Sequence, residues 1–534
     1  MNLFSAVPAS ADQKEYDFLI RGAVIFDGES LRSTHGDVGI LGDKIAFVGD
    51  APEGVSGREE INAQGLVLAP GFIDAHTHSD FNPLVYPKLP NKLLQGVTTE
   101  VTGNCGMSAA PVLGGHGKQI RSVWAREGVE IGSVKWRTYG EYVRRIEKKG
   151  MPGNFIGLAG HGNLRSAVMG NAPRAASAGE IAQMKKLLGE AMDEGARGIS
   201  YGLVYLPGIF ANEEELTELC REAAKRFGVC AFHMRNEGSN LIPAIREAIN
   251  IGRQAQARIQ LSHLKAAGRN NWPLIDEAFK MIEEARLDGV KITADAYPYV
   301  ASYAELGVVL PDDIYSREDR IDLFRNPLQR QALLEKLRAH YEAKAMKWDS
   351  VMIASAKGRR WRKYEGKTLL EIARTTGQQP EEFLIDILGS TKFETSAFYF
   401  SQSESVVSQV LEKTYVTVGS DSIADGSRKP HPRAYGTFPR IFGEYVRGRK
   451  TLELGDAIRK MTSLPADQFG LEDRGRIRQG MAADLVLFDA GEITDRATYS
   501  DPSASNLGIR WVFVNGRPAV EKGKWTEKKY GRIL

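Results

Sequence analysis

Cysteine is scarce in this chain: Cys105, Cys220 and Cys230 are the three among 534 residues. So few thiols build no disulfide framework and point to a reducing compartment. Long apolar runs are lacking too. No stretch approaches the roughly 18 residues that a membrane-spanning helix needs. Met1 to Ala11 has neither the basic start nor the long apolar core of a secretory leader. A cytoplasmic protein that does not enter the membrane is therefore expected. Nor is one sign of charge in excess. The 70 basic and 67 acidic residues leave a net charge of +3, and their interspersion argues against a nucleic-acid surface. The one dense basic run, Lys357-Gly-Arg-Arg-Trp-Arg-Lys363, reads as a solvated loop face, with anion contact as the alternative.

What is present is an ordinary globular composition, 42% hydrophobic and 26% charged, long enough for one large domain and a smaller one. The first seventy residues read as β hairpins, in runs such as Asp17–Asp27 and Val38–Val48. A similar pattern returns at Ala483–Asp489 and at Trp511–Gly516, where Asn515-Gly516 marks a tight turn. Two β-rich ends around a different middle predict one small β-sandwich domain built from residues 1–69 and 476–534.

The middle, residues 70–475, alternates strands with helices. Eight strand candidates stand at Phe72–His78, Thr98–Cys105, Phe155–His161, Ala196–Tyr205, Val229–Arg235, Ile259–Lys265, Lys291–Tyr299 and Tyr415–Asp421. One helix is marked in detail: Asn212 as cap, Leu216, Leu219, Cys220, Ala223 and Phe227 as its apolar face, and Gly228 as its stop. Eight parallel strands with intervening helices imply an α/β fold, a (β/α)8 TIM-type barrel with its chemistry at the C-terminal strand ends. After the seventh strand the alternation fails over 301–350, which reads as a lid-like insertion over the mouth, or else as decoration away from it.

Candidate site residues fall where the barrel predicts. His76 and His78 are two apart, so an extended strand points both the same way. Cys105, His161, His233, His263 and Asp421 stand at or near the ends of later strands. A thiol, imidazoles and a carboxylate converging on one mouth suit a metal that takes nitrogen and sulfur ligands, zinc above all. The plainer reading is a set of satisfied core histidines, which leaves their position at the strand ends without a reason. Cys220 and Cys230 read as packing residues.

Several motifs carry a resemblance that runs from about Tyr16 onward. They are Gly71–Asp80, Gly96–Gly106 with its Asn-Cys-Gly, Phe232–Gly238, Leu261–Lys265, Asp295–Tyr299, Val418–Asp421, His431–Arg440 and Ser463-Leu-Pro-Ala. In these the chain resembles the amidohydrolase superfamily, and within it the D-aminoacylases (N-acyl-D-amino-acid deacylases). The resemblance implies zinc-dependent hydrolysis of an N-acyl-D-amino acid, a small-molecule substrate. Cys105, His233 and His263 would hold a tight zinc, His76 and His78 a second, weaker one. Asp421, also among the metal ligands, would move the proton. Lys265 would bind the α-carboxylate, aided by Tyr297, Tyr205 and Ser302, although tyrosines at a barrel mouth are often packing. His161 receives no role. Where many relatives read Ser-Asp-Gly, this chain has Ser420-Asp421-Ser422 and a loop to Lys429 that could reshape the pocket. The alternatives are a hydrolase of cyclic amides or imides, a dipeptidase, or a non-catalytic scaffold. Lys265 beside His263 favours a free carboxylate, Cys105 disfavours the cyclic amides, and a full ligand set disfavours the scaffold. Oligomeric state is not legible in the sequence.

Overall fold

The computed structural model describes residues 15–534 apart from 52, 114, 115, 127, 128, 316, 318, 344–346, 424, 425 and 427. The stretch Met1–Ala11 and part of the 423–429 loop thus lie outside the described residues. Strands from the two ends of the chain form one nine-stranded sheet. Leu485–Phe488 enters it between Val67–Pro70 and Ile509–Val514, antiparallel to both. Phe18, Ile20, Val38 and Ile40 share one core with Leu485, Leu487 and Phe513, so both ends of the chain bury side chains together on this sheet. The hairpin after Val514 turns on Asn515 and Gly516, at φ of 50° and 75°. Both central residues are left-handed, as a tight two-residue turn requires.

Gly71 leads from this sheet into the barrel. Its eight parallel strands are Phe72–Asp74, Val97–Thr102, Asn154–Gly157 (continued by Ala159–Gly160), Gly198–Gly202, Val229–His233, Arg258–Leu261, Ile292–Ala296 and Val416–Val418. The eighth closes on the first. Ala75 N donates to Val418 O at 3.2 Å, Asp421 N to His76 O at 2.7 Å and His78 N to Ser422 O at 2.9 Å. Near-continuous burial along the strands matches a parallel sheet covered on both faces.

The helix Glu213–Ala224 begins at Asn212, whose side chain accepts from Glu215 N at 3.0 Å. Leu216, Leu219, Cys220 and Ala223 are buried along it, but Phe227, expected on the same face, is 83% exposed. The helix stops before it, and Phe227 sits in a left-handed turn at φ 57° that swings its ring outward. A second expectation also needs correcting. Cys220 and Cys230 are a disulfide rather than separate packing residues, with Cα atoms 5.9 Å apart. Cys220 lies on the inner face of the helix and Cys230 on the outer face of the fifth strand, which places them at bridging range. Among the described residues no helix is long and apolar enough to cross a membrane.

The segment expected as an insertion over 301–350 forms one unit with the residues that follow it. Ala301–Glu305, Thr395–Phe400 and Val351–Ala356 make a three-stranded antiparallel sheet in that order. Helices Arg330–Ala343 and Pro380–Thr391 cover it around a separate core that includes Leu306, Leu337, Ile353, Leu388 and Phe393. The excursion therefore extends to Phe400. Its basic run 357–363 is exposed except at Trp361.

Candidate metal centre

The side chains that meet at the barrel mouth are delivered by the first turns after the strands, more than by the strands themselves. The second strand ends at Thr102, the sixth at Leu261 and the eighth at Val418. Cys105, His263 and Asp421 follow at φ of 53°, 37° and 50°, so all three hold a left-handed backbone that non-glycine residues seldom adopt. Such strain persists only where surrounding structure enforces it, and it clusters at functional sites. His263 is therefore not the continuation of an extended strand, as its alternation with Ile259 and Leu261 predicts. Two glycines make room for these turns. A Cβ at Gly106 would lie 2.7 Å from Gly202 N, and one at Gly419 would lie 2.6 Å from the Cβ of His76.

The donor atoms converge. Cys105 Sγ lies 3.4 Å from His76 Nε2, 3.5 Å from His263 Nε2 and 3.4 Å from His233 Nδ1, and the latter two nitrogens are 3.0 Å apart. Asp421 Oδ1 lies 3.5 Å from His76 Nε2 and 3.3 Å from His78 Nε2. Two overlapping groups result: Cys105 with His233 and His263, and His76, His78, Cys105 with Asp421. Zinc bonds of 2.0–2.3 Å in a tetrahedron set its ligands about 3.3–3.7 Å apart. The distances to Cys105 and to Asp421 fit that shell, the 3.0 Å between His233 and His263 is a little short of it, and the donor set suits zinc. Cys105 belongs to both groups and so stands where it could bridge two ions.

Electrostatics ionises the thiol and the carboxylate. Burial opposes charge on His76, His78 and His263, yet Asp295, Asp421, Glu237 and the Cys105 thiolate raise them toward imidazolium, so that metal binding there would displace protons. Burial opposes ionisation of Cys105, but the imidazoles of His76, His233 and His263 outweigh it and hold the thiol well below its ordinary range. Burial likewise opposes ionisation of Asp421, and Arg433 first, then His78, hold its carboxyl well below the usual carboxylate value. Arg433 Nη1 donates to Asp421 Oδ2 at 2.8 Å, with the guanidinium only 1% exposed.

A second layer orients these ligands. Asp295 Oδ1 lies 3.1 Å from His76 Nδ1 and also accepts from His263 N at 2.8 Å. Glu237 Oε1 lies 2.7 Å from His263 Nδ1 and accepts from Lys265 Nζ at 2.5 Å. Buried Lys92 donates to Asp74 Oδ2 and to the hydroxyls of Ser420 and Ser422, each at 2.7 Å. Ser422, the departure from Ser-Asp-Gly, thus fastens the first strand to the eighth beneath Asp421.

The expected substrate residues are placed unequally. Lys265 and Tyr297 adjoin the cluster, with Lys265 Nζ 5.8 Å and Arg433 Cζ 4.7 Å from the Tyr297 ring centre. Tyr205 packs edge-on to His233, ring centres 5.0 Å apart. Ser302 sits on the first strand of the insertion opposite Tyr399. His161 turns away. It opens the helix His161–Met169, and its Nε2 lies 2.8 Å from Glu215 Oε1 in a buried group with Arg165. Sequence reasoning passed over Glu237, Asp295 and Arg433 as individual site residues. Each lies inside a quoted motif, and an acid or arginine in a run otherwise destined for burial was the available signal.

The Amidohydrolase family model matches residues 59–304 and 400–520, leaving out most of the insertion. D-aminoacylase from Alcaligenes xylosoxydans xylosoxydans is 33% identical over 530 residues, 98% of this chain and 99% of that one. N-acyl-D-aspartate deacylase from the same organism is 34% identical, covering 97% of this chain and 95% of its own. The crystal structure of N-acyl-D-glutamate deacylase from Bordetella bronchiseptica, complexed with zinc and a phosphonate mimic of the tetrahedral intermediate, superposes with a TM-score of 0.83. It is 30% identical, with 97% of this chain and 99% of that one covered. With a thiolate–imidazole cluster at the mouth of a closed parallel barrel, the chain belongs to the amidohydrolase family, in the group that holds D-aminoacylase and the N-acyl-D-amino-acid deacylases.

Proposed function

We propose that the protein hydrolyses the amide bond of N-acyl-D-amino acids, releasing a D-amino acid and a carboxylate. The observation that carries this reading is the wall beside the metal cluster. The Tyr297 hydroxyl is buried and has no hydrogen-bond partner among the described residues. Lys265 and Arg433 flank its ring. A buried donor between two cations is a receptor for a carboxylate, and an α-carboxylate there brings the neighbouring amide to the metal ligands.

Cys105, His233 and His263 would hold the first zinc, and His76, His78 and Asp421 a second beside it. Zinc supplies Lewis acidity at this position, acidifying water and polarising the amide carbonyl. Asp421, ionised by its neighbours, takes a proton from the attacking water and returns it to the leaving nitrogen. Asp295 and Glu237 keep His76 and His263 in the orientation and tautomer that leave Nε2 free to ligate. Lys265, Arg433 and Tyr297 fix the carboxylate, and one fixed carboxylate decides which face of the α-carbon meets the metal. The relatives named above act on D-configured substrates, and the same stereochemistry is expected here. Paired N-acetyl D- and L-amino acids, assayed alongside metal analysis of the same preparation, test the reading. Turnover confined to the D series with at least one zinc per chain is expected. Equal rates on both series would overturn it.

A further inference from the structure

A cavity of about 70 Å³, room for several waters, leads from Cys105 away from the cationic wall. We propose that it receives the acyl chain of the substrate, and that the enzyme prefers acyl groups longer than acetyl. This deepens the activity proposed above and rests on it. The cavity is bounded by the turns after the second, third and fourth strands, and on its far side by the insertion. In an eight-stranded barrel those strands stand across the mouth from the sixth to eighth, which supply or adjoin Lys265, Tyr297 and Arg433. A substrate with its carboxylate on that wall and its carbonyl at the metal ligands must send its acyl carbons the opposite way.

Most of the lining suits hydrocarbon, the buried carboxyl residue Glu305 excepted. Met107, Trp124, Tyr205, Leu206 and Tyr315 form its walls. Trp124 also packs against the His78 ring, centre to centre 6.4 Å, so the apolar surface begins beside the metal ligands. Polar groups on the inner side are spent on backbone. Ser108 Oγ donates to Ala110 O at 2.6 Å, and Asn163 Nδ2 to Ser108 O at 2.7 Å. Arg320, from the insertion, donates to Tyr315 O at 2.7 Å and lies 5.1 Å over the Tyr315 ring. A space with room for several waters is poorly filled by an acetyl methyl and better filled by an acyl chain several carbons longer.

The test uses the zinc-loaded enzyme and two substrate series. One keeps D-leucine and varies the acyl group through acetyl, butyryl and octanoyl. The other keeps acetyl and varies the amino acid through D-alanine, D-valine and D-leucine. Each methylene buried in the cavity is expected to raise kcat/KM about fourfold, hence about tenfold or more from acetyl to butyryl. Met107→Trp, which fills the cavity, is expected to lower the octanoyl-to-acetyl ratio about tenfold or more and to leave the order of the amino-acid series as it was. No gain with acyl length in the unaltered enzyme would overturn the assignment, whether or not the variant folds. So would a Met107→Trp enzyme whose amino-acid order changes while its acyl ratio does not. Absence of turnover on every member of both series would overturn the proposed activity itself, which separates the two failures.

Discussion

Replacing Asp421 by asparagine keeps the shape of the side chain and removes its charge and its capacity to carry a proton. Loss of a general base costs about 10²–10⁴-fold in rate, and a thousandfold loss is about 4 kcal/mol of activation free energy. A second cost falls on the fold. Arg433 is 1% exposed and donates to Asp421 Oδ2 at 2.8 Å. An amide oxygen still accepts that bond, but the guanidinium is left buried without its counter-charge. A charge-assisted hydrogen bond contributes about 1.5–3 kcal/mol, so a measurable fall in thermal midpoint should accompany the kinetic loss. Zinc at Cys105, His233 and His263 should remain, since none of the three is altered. Turnover, metal content and thermal midpoint are measured on one preparation. An Asp421→Asn enzyme that keeps its zinc and near-normal turnover would refute the assignment of the proton carrier.

Cys105→Ala should lose zinc and activity together, read by metal analysis after dialysis, because the thiolate is common to both ligand groups; full zinc retention would remove Cys105 from the metal shell. Lys265→Met should raise KM about 10- to 100-fold, the scale of one charge-assisted hydrogen bond, with a smaller change in kcat; an unchanged KM would place the carboxylate elsewhere. Arg433→Met should move the acid limb of the pH–rate profile upward. Arg433 is the chief group depressing the Asp421 pKa, so without it the carboxylate protonates, and the rate falls, at a higher pH. In the unaltered protein the stabilisation from this depressed pKa is present above the ordinary carboxylate value and is lost as pH falls through the folded-state value. A profile that does not move would show that the acid limb belongs to another group.

Much of this centre was legible from residue positions because a barrel gathers strand ends. His76 and His78 could be paired from spacing alone, and Cys105, His233, His263 and Asp421 from their place after apolar runs. What hid the rest was local backbone. Cys105, His263 and Asp421 carry positive φ without being glycines, so nothing in residue type announced the turns that aim them. His161 stood at the same kind of strand end, but a helix begins there and carries its ring to Glu215. Phe227 fitted a helical period in a stretch where the helix had already stopped. Glu237, Asp295 and Arg433 act through contacts between distant parts of the chain, and no periodicity reports such contacts. Asp295 reaches His76 across more than two hundred residues. The disulfide was missed for a related reason: composition argued against a framework of bridges, while a helix packed on a strand brought one pair of thiols together.

The strand Leu485–Phe488 lies between Val67–Pro70 and Ile509–Val514, and Val67–Pro70 runs through Gly71 into the strand that presents His76 and His78. Leu534 N also donates to Phe155 O, and Phe155 N to Arg532 O, at the start of the third barrel strand. During synthesis His76 and His78 therefore emerge some four hundred residues before the segment that anchors the strand ahead of them. Pairings so distant in sequence form slowly, because loop closure must come before they reward it. The nascent barrel is left with an open edge and exposed apolar strands while translation proceeds. Folding of the first strand is thereby tied to synthesis of Leu485–Phe488. A ribosome stalled before residue 485 would hold a polypeptide with His76, His78, Cys105, His233, His263 and Asp421 already made and no settled frame to hold them in.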